Sequence, residues 1–382
     1  MKIVVLGGSG GMGKIAVEDL FHYCKDCEIT IVDRHEDKAR KHAESFKSSR
    51  VKGVGIDVND TDKLAKILEG NDVAINCVVY YLNLEVMKAC LKAGVHYLDL
   101  GGLFHMSRKQ LELNNQFKSK KLLAVIGCGS TPGITNVMAR YCSGFFDKIN
   151  DIHISFGDAD FTKYNQPFVI PYTMHTLFDE FMMQPAVFTK GEIKMVDPMS
   201  GKTEIQFPNP VGKLNGFYTL HSELATFPSS FKNKGLKECS FRVTFPKEFM
   251  EKIKFLIDMG YASEKEINVC GKMIKPKDFT AMVMNQWLPK EGTKIDDLEY
   301  LRVEMIGEKG GKKQKKVLYC MNKNHKDFPA GSYNTGVAPS VMAQMIANGK
   351  VKERGVLPPE LCIDPKYFFK ELKKRGIKIL VK

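Results

Sequence analysis

The chain has 382 residues, which is long enough for two or three packed units with large cores. Its composition, 43% hydrophobic and 26% charged, is ordinary for a soluble globular protein, and no apolar run approaches the ~20 residues that span a bilayer. The net charge of +13 comes from lysines spread over the chain, and the one dense run, at 309–316, is typical of a solvated hairpin turn. We therefore expect no membrane span and no nucleic-acid partner, although a diffuse positive field attracts anionic nucleotides and carboxylates.

The N-terminus and the cysteines indicate the cellular compartment and the state of the thiols. The N-terminus reads as a strand that runs straight into glycines rather than as a signal peptide, so a cytoplasmic protein is expected. Of ten cysteines, only Cys24 and Cys27 have C-x2-C spacing, and no second pair completes a zinc set. Free thiols and no metal site are expected.

The first third of the chain alternates short β-type runs with amphipathic helical stretches. The predicted strands are Lys2–Leu6, Glu28–Asp33, Val51–Ile56, Asp72–Cys77, Tyr97–Leu100 and Leu122–Ile126. The predicted helices between them include Glu36–Phe46, Asp62–Glu69, Leu84–Ala93 and Ser107–Lys118. Six strands alternating with helices indicate a Rossmann-type, doubly wound parallel sheet in an α/β domain over 1–145, with its ligand at the carboxyl ends of the strands.

The pattern changes after about residue 145, where β-rich stretches follow one another among prolines and glycines. Strands are predicted at Asp151–Phe156, Glu204–Phe207 and Cys239–Phe245, and helices at Lys247–Met259 and Lys277–Leu288. We interpret 146–325 as an antiparallel α+β domain. The segment 326–382 is predicted to be helical again, at Val341–Asn348 and Lys366–Arg375, and to pack back on the first domain.

The stretch Gly7–Gly13 has five glycines in seven positions and follows the first strand. Its Gly8-x-Gly10-x-x-Gly13 spacing fits the dinucleotide fingerprint, in which the glycines allow a tight turn, a close approach of the pyrophosphate and close helix–strand packing. The residues expected to touch the cofactor here are Gly8, Ser9, Gly10, Gly11, Met12 and Gly13.

Asp33 ends the second strand twenty residues after Gly13, where a carboxylate accepts hydrogen bonds from the ribose hydroxyls. This favours NAD, because a 2′-phosphate would be repelled. Arg34 leaves NADP open, since an arginine there can clamp that phosphate. Asp57, after the third strand, either lines the adenine pocket or caps its loop.

The ends of the later strands bring further polar groups to the same edge of the sheet. They are Tyr80, Tyr81, Tyr97, Asp99, His105, Cys128 and Asn136, and Asn76, Cys77, Val78, Gly101 and Pro132 are expected to line the cofactor crevice beside them. A tyrosine or histidine near an aspartate can move a proton when its pKa is tuned. Structural alternatives stay open: Tyr97 as a strand tyrosine, Asp99 as a turn cap, and Cys128 as a small core residue.

The segments MKIVVLGGSGGMGKIAVEDL, NDVAINCVVYYLN, GVHYLDLGG, TPGITN and PYTMHTLFDEFMMQPAVFTKGE resemble the saccharopine dehydrogenase superfamily, and within it L-lysine 6-dehydrogenase most closely. KMIKPKDF and SVMAQMIANGKVKERGVLPPEL are also similar to lysine dehydrogenase segments. The sequence differs in its extra Gly7 and in Phe156–Ala159, which stands where the family has a Gly-Gly-x-Pro element. Those four positions are expected to line the substrate mouth.

The resemblance implies that the second domain supplies the substrate pocket and the contacts of a homodimer. It also implies oxidation of the ε-carbon–nitrogen bond of lysine or a related amino acid, with hydride transfer to nicotinamide. By similarity Tyr80 is the expected catalytic residue, with Asp99 orienting or deprotonating. Tyr97, His221, Arg140 and Arg242 are candidates for substrate contact, although the two arginines are also typical structural residues.

Two alternatives to lysine oxidation remain open at this point. The first is a saccharopine- or carboxynorspermidine-type reductase, which joins an amine to a carbonyl. A pocket for saccharopine should hold more cationic side chains than one for lysine. The second is a dinucleotide-binding sensor or scaffold without turnover.

Overall fold

The computed structural model describes residues 1–166, 168–287 and 292–381. Strands and helices alternate through the first part of the chain, as the hydrophobic pattern predicts. They are β1 (Lys2–Leu6), α1 (Gly11–Tyr23), β2 (Glu28–Asp33), α2 (Glu36–Ser45), β3 (Val51–Gly55), α3 (Thr61–Leu68), β4 (Val73–Asn76), α4 (Asn83–Ala93), β5 (His96–Asp99), α5 (Leu103–Leu111), α6 (Asn114–Ser119), β6 (Leu123–Val125) and α7 (Ile134–Ser143). The single helix predicted over Ser107–Lys118 is wrong: tight turns at Glu112 and Leu113 divide this region into α5 and α6.

The second part of the chain is richer in strands. Its elements are β7 (Lys148–Asp160), α8 (Met174–Met182), β8 (Ala186–Thr189), β9 (Glu192–Met195), β10 (Thr203–Gln206), β11 (Lys213–Tyr218), α9 (Glu223–Ser230), β12 (Glu238–Val243), α10 (Lys247–Asp258), β13 (Ile267–Val269), β14 (Lys272–Ile274), α11 (Pro276–Met284), β15 (Asp297–Lys309) and β16 (Lys312–Lys323). Of the helix predicted to end at Leu288, the last residue lies outside the described ranges.

The final elements are α12 (Ala330–Ala347), β17 (Gly355–Leu357), α13 (Pro359–Cys362), α14 (Pro365–Lys374) and β18 (Lys378–Val381). Strand β17 extends the first sheet and β18 extends the second, so this segment contributes to both. The division of the chain at residues 145 and 325 stays a prediction.

The first sheet has seven strands in the order β17-β6-β5-β4-β1-β2-β3, and all of its pairs are parallel. This is the predicted doubly wound sheet with one further strand, β17. The strand order reverses beside β1, which places the ligand crevice at the carboxyl ends of β1 and β4.

The second sheet has nine strands, with the path β10-β11-β12-β7-β15-β16-β18 and β8 and β9 attached at β12. The prediction of a wholly antiparallel domain is wrong at one pair, because β12 runs parallel to β7. The lysine-rich segment forms the turn between β15 and β16, as predicted. One face of this sheet packs on α7 and α12, so that Ile152 and Val303 belong to the same core as Ile3 and Leu98 of the first sheet.

Candidate active site

The glycine loop closes tightly against the helix that follows it. A Cβ atom on Gly13 would lie 2.2 Å from the carbonyl oxygen of Gly7, so no larger residue fits there. A Cβ on Gly11 would meet open space, and one on Gly10 would contact only the Gly7 carbonyl, at 3.2 Å. Gly13 is therefore needed for close packing of the loop, whereas Gly10 and Gly11 leave an open backbone surface.

The start of α1 presents hydrogen-bond donors to that open surface. Gly10 is the N-cap, no described side chain caps the helix, and its first turn has no acidic residue. The Ser9 hydroxyl is buried and has no hydrogen-bond partner among the described residues. Free N–H groups, a hydroxyl and the positive end of the helix dipole suit a diphosphate. Met12 is half-buried, and its carbonyl oxygen lies close to Gly336 of α12.

The adenosine end of the crevice is formed by the exits of β2 and β3. Asp33 is half-buried and one of its oxygens accepts the His35 backbone N–H at 3.1 Å. Arg34 is exposed and its Nε donates to the His35 ring at 3.3 Å. Asp57 is exposed and accepts the backbone and side-chain N–H groups of Asn59, each at 2.9 Å. The contacts of Asp57 are those of a loop cap.

The exits of β4, β5 and β6 meet at the other end of the crevice. A Cβ on Gly7 would lie 3.0 Å from the Cys77 carbonyl and 3.2 Å from Val78, and one on Gly101 would lie 2.9 Å from Pro132. The structure thus places Gly7 against Cys77 and Val78, and Gly101 against Pro132, at neighbouring strand ends. That these residues line the cofactor crevice stays a prediction. A dinucleotide laid along it would place its nicotinamide at these strand ends.

Asp99 lies behind this crevice as the centre of a buried network rather than inside it. The residue is 1% exposed. Its carboxylate accepts hydrogen bonds from the side chains of Tyr97 (2.9 Å), Asn83 (3.3 Å) and Gln110 (2.5 Å) and from the backbone N–H groups of Gly101 (2.9 Å) and Gly127 (2.7 Å). Burial raises the pKa of Asp99, and the hydrogen bonds offset part of that effect.

The geometry of this network corrects three expectations. Asp99 bonds to none of the atoms of Tyr80, so it does not orient that residue. Tyr97 is fully buried, which removes it from substrate contact. Asn76, expected beside the cofactor, is 1% exposed and its amide donates to Asn83 and Tyr97. All three residues hold the strand ends together.

Tyr80 is half-buried in the single turn after β4, and its partner comes from the second sheet's domain. Its hydroxyl donates to Asp179 of α8 at 3.0 Å, and its ring meets the His105 ring edge-on at 5.9 Å. Burial, and then the charge of Asp179, raises the pKa of Tyr80. Asp179 also binds the Lys277 ammonium at 2.5 Å, and Lys277 binds Glu264 at 2.7 Å.

His221 belongs to a second cluster, beside the exit of β6. Its Nδ1 is bonded to Glu223 and its ring stacks on Phe241 at 3.6 Å. Glu223 also accepts the hydroxyls of Thr131 (2.6 Å) and Thr135 (3.1 Å), which follow β6. Burial alone lowers the pKa of His221, but the charge and hydrogen bond of Glu223 outweigh it, so the net pKa is raised.

Glu180, the neighbour of Asp179 on α8, completes this second cluster. It is 8% exposed, and the Tyr172 hydroxyl donates to it at 2.5 Å. Burial raises the pKa of Glu180 to about 7, although the nearby charge of His221 lowers it. The cluster therefore offers an imidazole whose pKa is raised and a carboxyl group with a pKa of about 7, which are suitable for acid–base catalysis.

Four other predicted groups lie away from both clusters. Arg140 donates to the Ile363 carbonyl at 2.9 Å and so fixes the C-terminal segment. Arg242 binds Ser240 at 2.7 Å and the Tyr218 hydroxyl at 2.5 Å on the second sheet. Both arginines therefore have structural partners, and their contact with substrate stays a prediction. Cys128 is a buried core thiol whose pKa burial raises, and Asn136 donates to Glu360 at 2.8 Å.

The sequence analysis missed the carboxylates that the structure gathers around Tyr80 and His221. They are Asp179, Glu180, Glu223 and Glu264, together with Lys277. One signal was present: adjacent acids interrupt an otherwise apolar helix in TLFDEFM. Buried acids in such a helix need a function or a partner.

Neither a metal site nor a membrane span is recorded for the described ranges. No group of three or more His, Cys, Asp or Glu side chains among those residues could hold a metal ion. Within the same residues, no helix has the length and apolar character needed to cross a bilayer.

Comparisons with known proteins cover nearly the whole chain. The model of the saccharopine dehydrogenase NADP binding domain matches residues 3–125, and that of the saccharopine dehydrogenase C-terminal domain matches residues 129–377. The chain is 27% identical to carboxyaminopropylagmatine dehydrogenase of Synechocystis sp., over 99% of this chain and 96% of that protein. It is 24% identical to carboxynorspermidine synthase of Vibrio cholerae, over 92% of this chain and 89% of that protein.

Among solved structures, the fold is similar to that of saccharopine dehydrogenase (L-Glu forming) from Saccharomyces cerevisiae. The TM-score is 0.77 at 17% identity, covering 100% of this chain and 99% of that one. At this identity the likeness describes the fold alone.

Proposed function

We propose that this chain, a member of the saccharopine dehydrogenase family, acts on a polyamine with a carboxyaminopropyl group on one nitrogen. The family membership makes it an NAD(P)-dependent oxidoreductase that acts on C–N bonds. In the reductive direction, an amino-acid aldehyde and a polyamine condense, and the resulting imine is reduced. The names of the two curated relatives support this substrate class, since both denote carboxyalkyl derivatives of polyamines.

The observation that carries the proposal is the excess of carboxylates around Tyr80 and His221. Asp179, Glu180, Glu223 and Glu264 lie there. The cationic side chains in contact with them are Lys277, His221 and, at 3.4 Å from Glu264 on the exposed side, Lys275. This acidic cluster is set in a chain with a net charge of +13, so it does not reflect overall composition. Carboxylates in a cleft attract a substrate with several positive charges. A saccharopine pocket would instead need more cations.

Oxidation of lysine, the substrate that the sequence analysis favoured, is the second candidate. Its most distinctive support was the segment at 340–361, and the structure supplies a structural cause for that segment. It forms the end of α12, strand β17 beside β6, and Glu360, which binds Asn136 and Ser230. The segment therefore maintains the fold and does not discriminate between substrates.

The residues of the crevice fit a nicotinamide dinucleotide. Gly8–Gly13 and the Ser9 hydroxyl would hold the diphosphate, Asp33 the ribose, and the exits of β4 to β6 the nicotinamide. When bound, the cofactor supplies or accepts the hydride. Asp33 favours NAD over NADP as the cofactor. If Arg34→Ala abolishes use of NADP and Asp33→Ala leaves use of NAD unchanged, the preferred cofactor is NADP instead.

His221 and Glu180 are suited to the proton transfers that the reaction requires. In condensation, the amine adds to the aldehyde carbon, and the hydroxyl of the adduct leaves as water after it gains a proton, which His221 can donate. In oxidation, the substrate nitrogen must lose its proton before hydride leaves the adjacent carbon, because an ammonium has no lone pair to assist. The ionised Glu180 can accept that proton.

The proposal is tested by following NADPH and NADH oxidation with 2-amino-4-oxobutanoate plus agmatine or 1,3-diaminopropane. A parallel assay follows reduction of NAD and NADP by lysine and by saccharopine at roughly pH 9 to 10, where amines begin to be neutral. We expect turnover in the first assay that depends on both the aldehyde and the amine. Turnover with lysine and none with the aldehyde–amine pairs would favour the second candidate.

A further inference from the structure

We infer that Asp158 and Glu299 form a second amine-binding subsite, which receives the cationic end of the substrate farthest from the reacting C–N bond. This inference rests on the proposed function for the identity of the substrate. It assigns a ligand class, a primary ammonium or a guanidinium, to a pair of carboxylates that none of the steps above requires.

The two carboxylates lie on neighbouring strands at matched positions. Asp158 of β7 is directly opposite Glu299 of β15 in the antiparallel register. Directly opposite residues point to the same face of a sheet. That face is the one that packs toward the first sheet, because Ile154, four residues before Asp158, and Leu301, two residues after Glu299, belong to the core shared by both sheets.

The pair is connected to the candidate active site on two sides. Ser130 donates to Glu299 at 3.5 Å, and the next residue, Thr131, donates to Glu223 at 2.6 Å. Along β7, Phe156 lies two residues before Asp158, about 7 Å away. The Phe156 ring is half-buried and lies 6.4 Å from Phe241, the ring on which His221 stacks. Aromatic rings thus line the sheet between the two acidic groups.

Two buried acceptor atoms at the pair have no hydrogen-bond donor among the described residues. One Asp158 oxygen is buried and has no partner in the described part of the chain. Asn334 of α12 is fully buried, and its amide donates to Glu299 at 2.7 Å. The oxygen of that same amide has no recorded partner. Acceptors without donors are costly when buried, and an ammonium or guanidinium supplies several donors at once.

A neighbouring carboxylate shows what a purely structural role looks like here. Asp297 accepts the Ala330 backbone N–H with both oxygens at 3.0 Å, and so caps the start of α12. Asp158 has no such cap to form. Burial first, and then the neighbouring carboxylates, raises the pKa of Asp158 to about 7 and that of Glu299 to about 7. A bound cation would stabilise both charged forms.

An organic cation suits the pair better than a metal ion, because the described residues offer no third carboxylate, cysteine or histidine ligand in suitable geometry. In a polyamine, a few methylene groups separate one nitrogen from the next. Phe156 would contact those methylene groups, and the two carboxylates would pair with the terminal charge.

Calorimetric titration of the full chain at about pH 8, saturated with NAD⁺ or NADP⁺, whichever it binds more tightly, tests the subsite without relying on turnover. The probes are 1,3-diaminopropane and propylamine, which differ by one amino group. We expect the diamine to bind the wild type at least about tenfold more tightly than the monoamine, and Asp158→Asn and Glu299→Gln each to remove most of that difference. Glu308→Gln, on the same strand as Glu299, is the control and should preserve the preference.

Three results would overturn the subsite: equal binding of the two amines to the wild type, an unchanged preference in both variants, or an equal loss of both amines. Dinucleotide affinity and melting temperature, measured on each variant, separate a folding defect from loss of the subsite. Should Asp158→Asn not fold, Glu299→Gln decides. If the diamine preference exists and depends on these residues while no aldehyde–amine pair turns over, the subsite stands and the proposed reaction is wrong.

Discussion

The network around Asp99 and the cluster around His221 contain the same kinds of side chain and lie at the same end of the crevice. Asp99 is surrounded by five donors, three of them side chains of its own sheet's domain. The second cluster contains His221, Glu223 and Glu180, and Glu223 connects it to Thr131 after β6. The pKa values of His221 and Glu180 are both raised, so these two groups can exchange protons. The comparison teaches that a buried carboxylate surrounded by donors of its own sheet is structural, whereas a carboxyl group with a pKa near neutrality beside a histidine is a candidate for acid–base chemistry.

The largest expected effect is that of His221→Gln on turnover. Loss of the proposed proton donor should lower kcat by roughly 100- to 10,000-fold while dinucleotide affinity stays close to that of the wild type. The measurement is steady-state turnover of the amine and aldehyde pair, together with a fluorescence titration of NADPH. The double variant His221→Gln/Glu223→Gln controls for the unpaired buried charge of Glu223. Wild-type turnover in the single variant would remove His221 from the chemistry.

The next prediction concerns the free energy of unfolding, to which we expect the Asp99 network to contribute. Asp99→Asn places an amide N–H₂ against backbone donors, and we expect it to lower the free energy of unfolding by about 2–3 kcal/mol. Urea denaturation measures this, and Asp57→Asn, an exposed loop carboxylate, should change it by less than about 0.5 kcal/mol. An Asp99→Asn protein of normal stability that no longer turns over would show that Asp99 acts in catalysis after all.

The third prediction concerns pH. The pKa of Glu180 is about 7, so the carboxyl is protonated below that pH and ionised above it. If the ionised form is the base for oxidation, kcat/KM for the secondary amine should rise about tenfold per pH unit up to about 7 and then level. The Glu180→Gln variant should lose this limb of the profile. A wild-type profile that is flat across neutrality would exclude Glu180 as the base.

The smallest effect is expected for Tyr80, whose hydroxyl is bonded to Asp179 and whose pKa is raised, so that it positions rather than ionises. Tyr80→Phe should reduce kcat/KM by about tenfold, mainly through KM, because Asp179 loses one donor. Tyr81→Phe is a matched control, since Tyr81 is 56% exposed and adjacent in sequence. A much larger decrease that affects kcat and leaves KM unchanged would show that Tyr80 is catalytic, as the sequence analysis expected.

Local patterns predict which residues follow the ends of consecutive strands. The glycine loop, Asp33 and the strand exits at Cys77, Gly101 and Pro132 were assigned to the crevice from spacing alone, because parallel strands of a doubly wound sheet end at one edge. The same reasoning misplaced Tyr97 and Asn76. Alternation predicts which strand residues are near the edge, but not which side chain turns inward to bond to a neighbour.

The sequence by itself determined that this protein has a parallel sheet with a dinucleotide crevice, since β-type runs, helical periodicity and glycine spacing are all local properties of the chain. Only the tertiary structure decided which acids face the crevice: Tyr80 meets Asp179 across 99 residues, and Thr131 meets Glu223 across 92. Those pairings, and the burial that shifts the pKa of Glu180, arise where distant parts of the chain pack together. Neither has a signature in any short stretch of the chain.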